Sequence, residues 1–234
     1  MPLLVVCLVP AAPALLPWLT GTHVPEVEPV REAVRRVLAD LAGLDRVVVV
    51  SAEEPGTLAG FGAVPASAPG AAAGERPGGG AVQTSWPREL ADALLDGALD
   101  AEPVAAEPVD AANGTARPVR QHHRWSAVPD GLVPTLDGAG DRVGLLLLAD
   151  GSRTRGPRAP GGEDPRGDAV DAELVAALRQ GRPADVPDAA AVGATAGPAV
   201  ALLAEAPGGG TELLHDDAPL GVCYLVARRR RDRS

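Results

Sequence analysis

The sequence contains no lysine, and all 21 of its basic residues are arginines. Codon bias in a GC-rich genome accounts for that absence more simply than any function does. Aromatic residues are nearly as scarce: three Trp, one Tyr and one Phe. The core must therefore be built from Ala, Val and Leu. The two cysteines, Cys7 and Cys223, each sit in an apolar run and lack the spacing of a metal knuckle or redox pair. Their placement excludes a disulfide scaffold and predicts buried, reduced thiols in a cytoplasmic protein. No G-x-G-x-x-G or P-loop pattern follows a predicted strand, and Gly78–Gly80 are not a phosphate cradle. A net charge of −10 argues against nucleic-acid binding, which needs a cationic face. The uncharged stretch from Pro2 to Leu19 has no basic residue before Arg31 and is interrupted by Pro10, Pro13 and Pro17. It reads as neither a signal peptide nor a membrane span.

What is present is a grammar of apolar strand, polar loop and helix. Val143–Leu148 is apolar throughout, as expected of an inner strand covered on both faces. It breaks into Asp150, Gly151, Ser152 and Arg153, a polar turn at the carboxyl end of the strand, where open α/β sheets place their ligand sites. A Pro- and Gly-rich loop, 155–167, then leads to a helix with Val170, Leu174, Val175, Ala177 and Leu178 at helical spacing and Asp168 and Asp171 near its positive end.

The flanking sequence repeats the pattern. Leu3–Val9 and Arg46–Ser51 read as strands. Between them Val30, Val34, Val37, Leu38 and Leu41 recur at helical spacing, with Arg31, Arg35 and Arg36 on other faces. This βαβ unit predicts a parallel pair. Residues 57–82 read as a Gly/Ala/Pro-rich excursion and 101–113 as an acidic connector, separated by a helix that starts at Trp86-Pro87. RQHHRW, 120–125, reads as a surface or cleft-edge segment, because adjacent histidines on a strand would face opposite ways. Residues 130–140 read as turns, and 196–206 as a short helix. Residues 211–215 and 222–227 read as two strands closing around His215 to Gly221. The expected architecture is α/β: a single domain, 1–227, with a central mostly parallel sheet flanked by helices and antiparallel closing strands at the C-terminus. An Arg-rich segment, 228–234, reads as a solvated, frayed tail.

Three stretches, taken together, resemble the class III extradiol dioxygenase superfamily, which includes the protocatechuate 4,5-dioxygenase β-subunit and the Memo-like proteins. They are LVPAAPALLPWL, 8–19; the central strand with its Asp150-Gly151-Ser152 turn, Asp164-Pro165-Arg166-Gly167 and Asp171; and LLHDDAPLGVCYLVA, 213–227. The resemblance implies a non-haem Fe(II) site of two imidazoles and a carboxylate, with a third His as acid/base. At those His positions this chain has Ala11, Ala52 or Glu53, and Arg153. Alanine has no lone pair to give a metal, and an arginine side chain cannot deprotonate to act as a base.

The resemblance therefore implies a divergent, catalytically degenerate member without resident metal. It would bind a small anionic or aromatic ligand, or a partner protein, at the strand ends through Asp150, Ser152, Arg153, Arg155, His215 and Asp216. An alternative is an active Fe(II) dioxygenase with its metal relocated to His122, His123 and a C-terminal acid such as Glu212. A third is a scaffold subunit acting through homo-oligomerisation. A Ser152–His215–Asp216 triad is conceivable on paper, but A-D-G-S-R-T lacks the G-x-S-x-G elbow that would expose the serine.

Overall fold

The computed structural model describes residues 3–20, 24–52, 85–97, 99 and 118–232. The predicted excursion 57–82, the connector 101–113, and Glu53 lie outside the described residues. Six strands form one sheet: β1 (Leu3–Val9), β2 (Arg46–Ser51), β3 (Val119–Arg124), β4 (Val143–Leu148), β5 (Glu212–Asp217) and β6 (Tyr224–Arg230). Their order is β3-β2-β4-β1-β6-β5. The first four in sequence are parallel. β6 runs antiparallel to β1, and β5 antiparallel to β6.

Helices cover both faces. In strands that are apolar throughout, the period-two alternation divides residues between two cores. Cys7, Val9, Val47, Val49, Leu146 and Leu148 pack under α2 (Glu28–Leu38) and α3 (Trp86–Leu95). Val6, Leu8, Val48, Val50, Leu145 and Leu147 face α4 (Leu132–Asp137), α5 (Arg166–Gln180) and α6 (Gly197–Glu205). Each fully buried Val or Leu contributes about 2 kcal/mol. The two layers are therefore mainly aliphatic, with Trp86 and Tyr224 the buried aromatic members of the α2/α3 side.

Three readings of the sequence need correction, and a fourth gains detail. The RQHHRW stretch is a partly exposed edge, as read, and is largely strand: β3 pairs residue for residue with β2, Val49 opposite His122. Residues 130–140 contain α4, which buries Leu132, Val133 and Leu136. Its Pro134 lies in the first turn, where an N–H would lack a helical partner anyway. Arg31 does not lie on an outer face. It is 1% exposed and donates to the Leu15 and Ala14 carbonyls at 3.0 and 2.8 Å, fastening the loop after β1 to α2.

The first part of the Arg-rich segment is not a frayed tail, since β6 continues to Arg230 along β1; residues 233–234 lie outside the described residues. Arg228 is buried and donates to Glu212 at 2.8 Å and to Asp40 at 2.9 Å. Arg231 pairs with Asp137. These basic residues are neutralised within the chain.

Candidate functional site: the carboxyl ends of the central strands

β1 and β4 are neighbours whose connections depart over opposite faces, β1 through α2 and β4 through α5 and α6. This is a topological switch point, the place where open α/β sheets form a ligand crevice. The loops after the two strands meet there. Asp150, 2% exposed, accepts the Ala11 N–H at Oδ1, 3.0 Å away. Its own N–H donates to Thr195 Oγ1 at 2.9 Å, and its carbonyl accepts the N–H groups of Thr195 and Ala196, each at 2.9 Å. A guanidinium nitrogen of Arg153 lies 3.6 Å from the Asp150 carboxylate. Tyr224 is buried beside this pair. Its phenol is pushed up to about 12, first by burial and then by the Asp150 charge, with Arg153 opposing.

Ser152 faces the other layer. It is fully buried and donates its hydroxyl and its N–H to the two oxygens of Asp171, at 2.6 and 2.7 Å. Asp171, one turn into α5, is itself 4% exposed. Only glycine permits this approach at position 151, where a Cβ would stand 2.6 Å from the Asp171 carboxylate and 2.7 Å from Cys223 Cβ. The expected polar turn is in fact a ribbon stitched on both sides. Gly151 N–H donates to Cys223 O, Cys223 N–H to Ser152 O, Arg155 N–H to Gly221 O and Arg153 N–H to Val192 O. Burial, and then Asp171, push the Cys223 thiol well above the usual range, so it is a protonated group at neutral pH.

A cleft of about 410 Å³ opens beside this ribbon, between α5 and the closing hairpin. Arg155, Asp168, Asp171, Asp216 and Cys223 line it, with Ala172 and Val175 as its apolar wall. Arg155 is 3.0 Å from Asp168 and 3.9 Å from Asp171, so the lone cation of the lining already has carboxylate partners. Asp216 pairs with Arg179 of α5 at 3.0 Å.

The six predicted cleft residues do not converge. Asp150 and Arg153 stand at the β1/β4 crevice, whereas Arg155 and Asp216 line the α5 cleft and Ser152 is sealed against α5. His215 lies in a strand as read, and β5 extends past it to include Asp216 and Asp217. His215 sits opposite Val226 and therefore on the α2/α3 face, while Asp216 sits opposite Leu225 on the α5 face. Burial lowers the His215 pKa, against the opposing pull of Asp217 and Asp216. Ser152 is thus bonded to Asp171 and not to His215, and the hypothetical triad is not assembled.

The relocated metal set fares no better. His122 and His123 lie on β3 at one edge of the six-stranded sheet, and Glu212 on β5 at the other. Five strand spacings separate them, roughly 24 Å at about 4.8 Å each. His122 Nε2 lies 3.3 Å from Asp92 of α3, and Glu212 is paired with Arg228. The residues at the crevice do not fit Fe(II) either. Ala11 contributes only a backbone N–H, and Arg153 brings a positive charge where a ligand would need a lone pair. Among the described residues no group of three or more His, Cys, Asp or Glu side chains could hold a metal ion.

Sequence reading missed Asp171, Cys223, Tyr224 and Thr195 as partners of the central turn. They come from α5, the start of β6 and the residue before it, and the loop before α6, at separations with no periodic signal. No protein-family model matches the chain, and no curated protein matches it. No helix among the described residues is long and apolar enough to cross a membrane.

Proposed function

We propose that this chain is a divergent relative of the class III extradiol dioxygenases that acts by binding rather than by ring cleavage, with the cleft between α5 and the β5–β6 hairpin as its ligand site. One observation carries this reading: the groups of the central turn are engaged inside the protein, Asp150 with Ala11 and Ser152 with Asp171, while the cleft beside them is open. The chemistry of the lining also shifts the ligand class. Three carboxylates and one already paired guanidinium disfavour an anion and suit a small molecule with a cationic or hydrogen-bond-donating head, its apolar part against Ala172 and Val175. A role confined to self-association has less support, since the large apolar side chains exposed among the described residues are Val119 and Leu220, neither on a helix.

The test is a thermal-shift screen of small amines, amino acids, organic anions and catechols, followed by calorimetry of any hit. Val175→Trp, which fills the cleft from a half-exposed helix face, should abolish binding of an amine-class hit. Hits confined to anions that survive Val175→Trp would overturn the cleft assignment. Oxygen consumption with Fe(II) and catechol would overturn the non-catalytic reading.

A further inference from the structure

We infer that Arg153 is the built-in cation of the β1/β4 crevice, holding Asp150 in the charged state that ties the loop after β1 to the central turn without any metal. The inference rests on reading the crevice as non-catalytic. It starts from the mismatch between the crevice residues and the Fe(II) that the resemblance implies.

Asp150 is 2% exposed, and a carboxylate so deeply placed needs a compensating positive charge as well as hydrogen bonds. Arg153 brings that charge to 3.6 Å. Its position is set from three sides. The Arg153 N–H donates to Val192 O and its carbonyl accepts from Gly161, both at 2.9 Å. The side-chain stem lies against Gly193, where a Cβ would stand 3.3 Å from Arg153 Cδ. Gly193 has φ +69°, a left-handed conformation that leaves this side of the loop bare for the stem. The Asp150 carboxylate in turn holds the loop after β1 through the Ala11 N–H, while its backbone N–H and carbonyl fix the 195–196 approach to α6. A guanidinium is suited to this task because it stays charged at any pH the fold survives and offers several donors in one plane. Arg153 is therefore a positioning residue for Asp150 and the loops it joins.

The test combines melting with hydrogen exchange at the Ala11 amide. Wild type should melt at the same temperature in EDTA as with anaerobic Fe(II) or Mn(II), and its Ala11 N–H should be protected. Arg153→Ala should lower the melting temperature and speed Ala11 exchange on the order of tenfold or more. Arg153→Lys, which keeps the charge, should restore part of the protection. The double variant Asp150→Asn/Arg153→Ala should melt above Arg153→Ala alone, because the buried carboxylate is then neutral; a merely structural packing role would make the two losses additive. Metal-dependent melting of wild type, unchanged Ala11 protection in Arg153→Ala, or additive losses would each overturn the inference. Oxygen uptake in the presence of catechol would instead count against the non-catalytic reading, so the two failures are distinguishable.

Discussion

Asp171 receives both donors of Ser152 on its two oxygens; the serine is fully buried and Asp171 reaches only the edge of the cleft. Ser152, which lacks the sequence context of a nucleophile, is a clasp between the central turn and α5. Ser152→Ala leaves a buried carboxylate one donor short and should cost about 1–3 kcal/mol. A lowered denaturation midpoint with an unchanged urea m-value would verify this; an unchanged midpoint would refute the clasp. Tyr224 gives a cleaner probe, because it is the only tyrosine in the chain. Its phenolate absorbance should titrate near about 12 in the native protein instead of the ordinary 10. The folded pKa lies above the unfolded one, so this contribution to stability is complete below pH 10 and is lost as pH rises toward 12. A native midpoint at the ordinary value would show the phenol to be exposed.

At the scale of the element, α5 is held at both ends by charge. Its first turns carry Asp168 and Asp171 toward Arg155, and its far end is clipped by Arg182, which grips Glu173 through both carboxylate oxygens while Asp185 donates its N–H. The Arg182 hydrogen bonds, and then that of Asp185, hold the Glu173 pKa down at about 2, against an ordinary 4.5. The folded pKa is depressed, so the stabilisation is present above pH 4.5 and disappears as pH falls toward 2. Acid titration of stability should show this loss in wild type and a weaker one in Arg182→Ala; equal acid sensitivity would count against the clip. Elements were readable from sequence in proportion to their own pattern. β1, β2, β4, α2 and α5 announce themselves by apolar runs or helical spacing. β3 carries no such signal, because Val119–Arg124 is a strand only by virtue of the backbone hydrogen bonds that β2 offers. α4 was hidden by Pro134 between two glycines.

At the scale of the molecule, β6 decides where the domain ends. Its pairing with β1 runs from Leu8 opposite Ala227 to Val5 opposite Arg230, so the arginine run completes the sheet. Truncation after residue 227 removes three ladder partners of β1 and the buried Arg228 that neutralises Glu212 and Asp40. It should cost more than about 3 kcal/mol. Chemical denaturation of the truncated and full chains checks this, and equal stability would return the arginines to the status of a tail. The same global ordering of strands parts the histidines of β3 from the carboxylate of β5, and no rearrangement of side chains can bring opposite edges of a sheet together.

By itself the sequence determined the layered α/β class, the identity of the inner strands and the location of the central turn. These depend on local periodicity and on the burial demanded by unbroken apolar runs. It also showed that Ala11 and Arg153 are side chains without a lone pair for a metal. Tertiary structure alone decided which groups meet. The partners of Asp150 are Ala11 and Thr195, and the partner of Ser152 is Asp171. Two adjacent residues, His215 and Asp216, were placed on opposite faces of the sheet. Such pairings span up to 139 residues, and they follow from strand order and register, which no local pattern encodes.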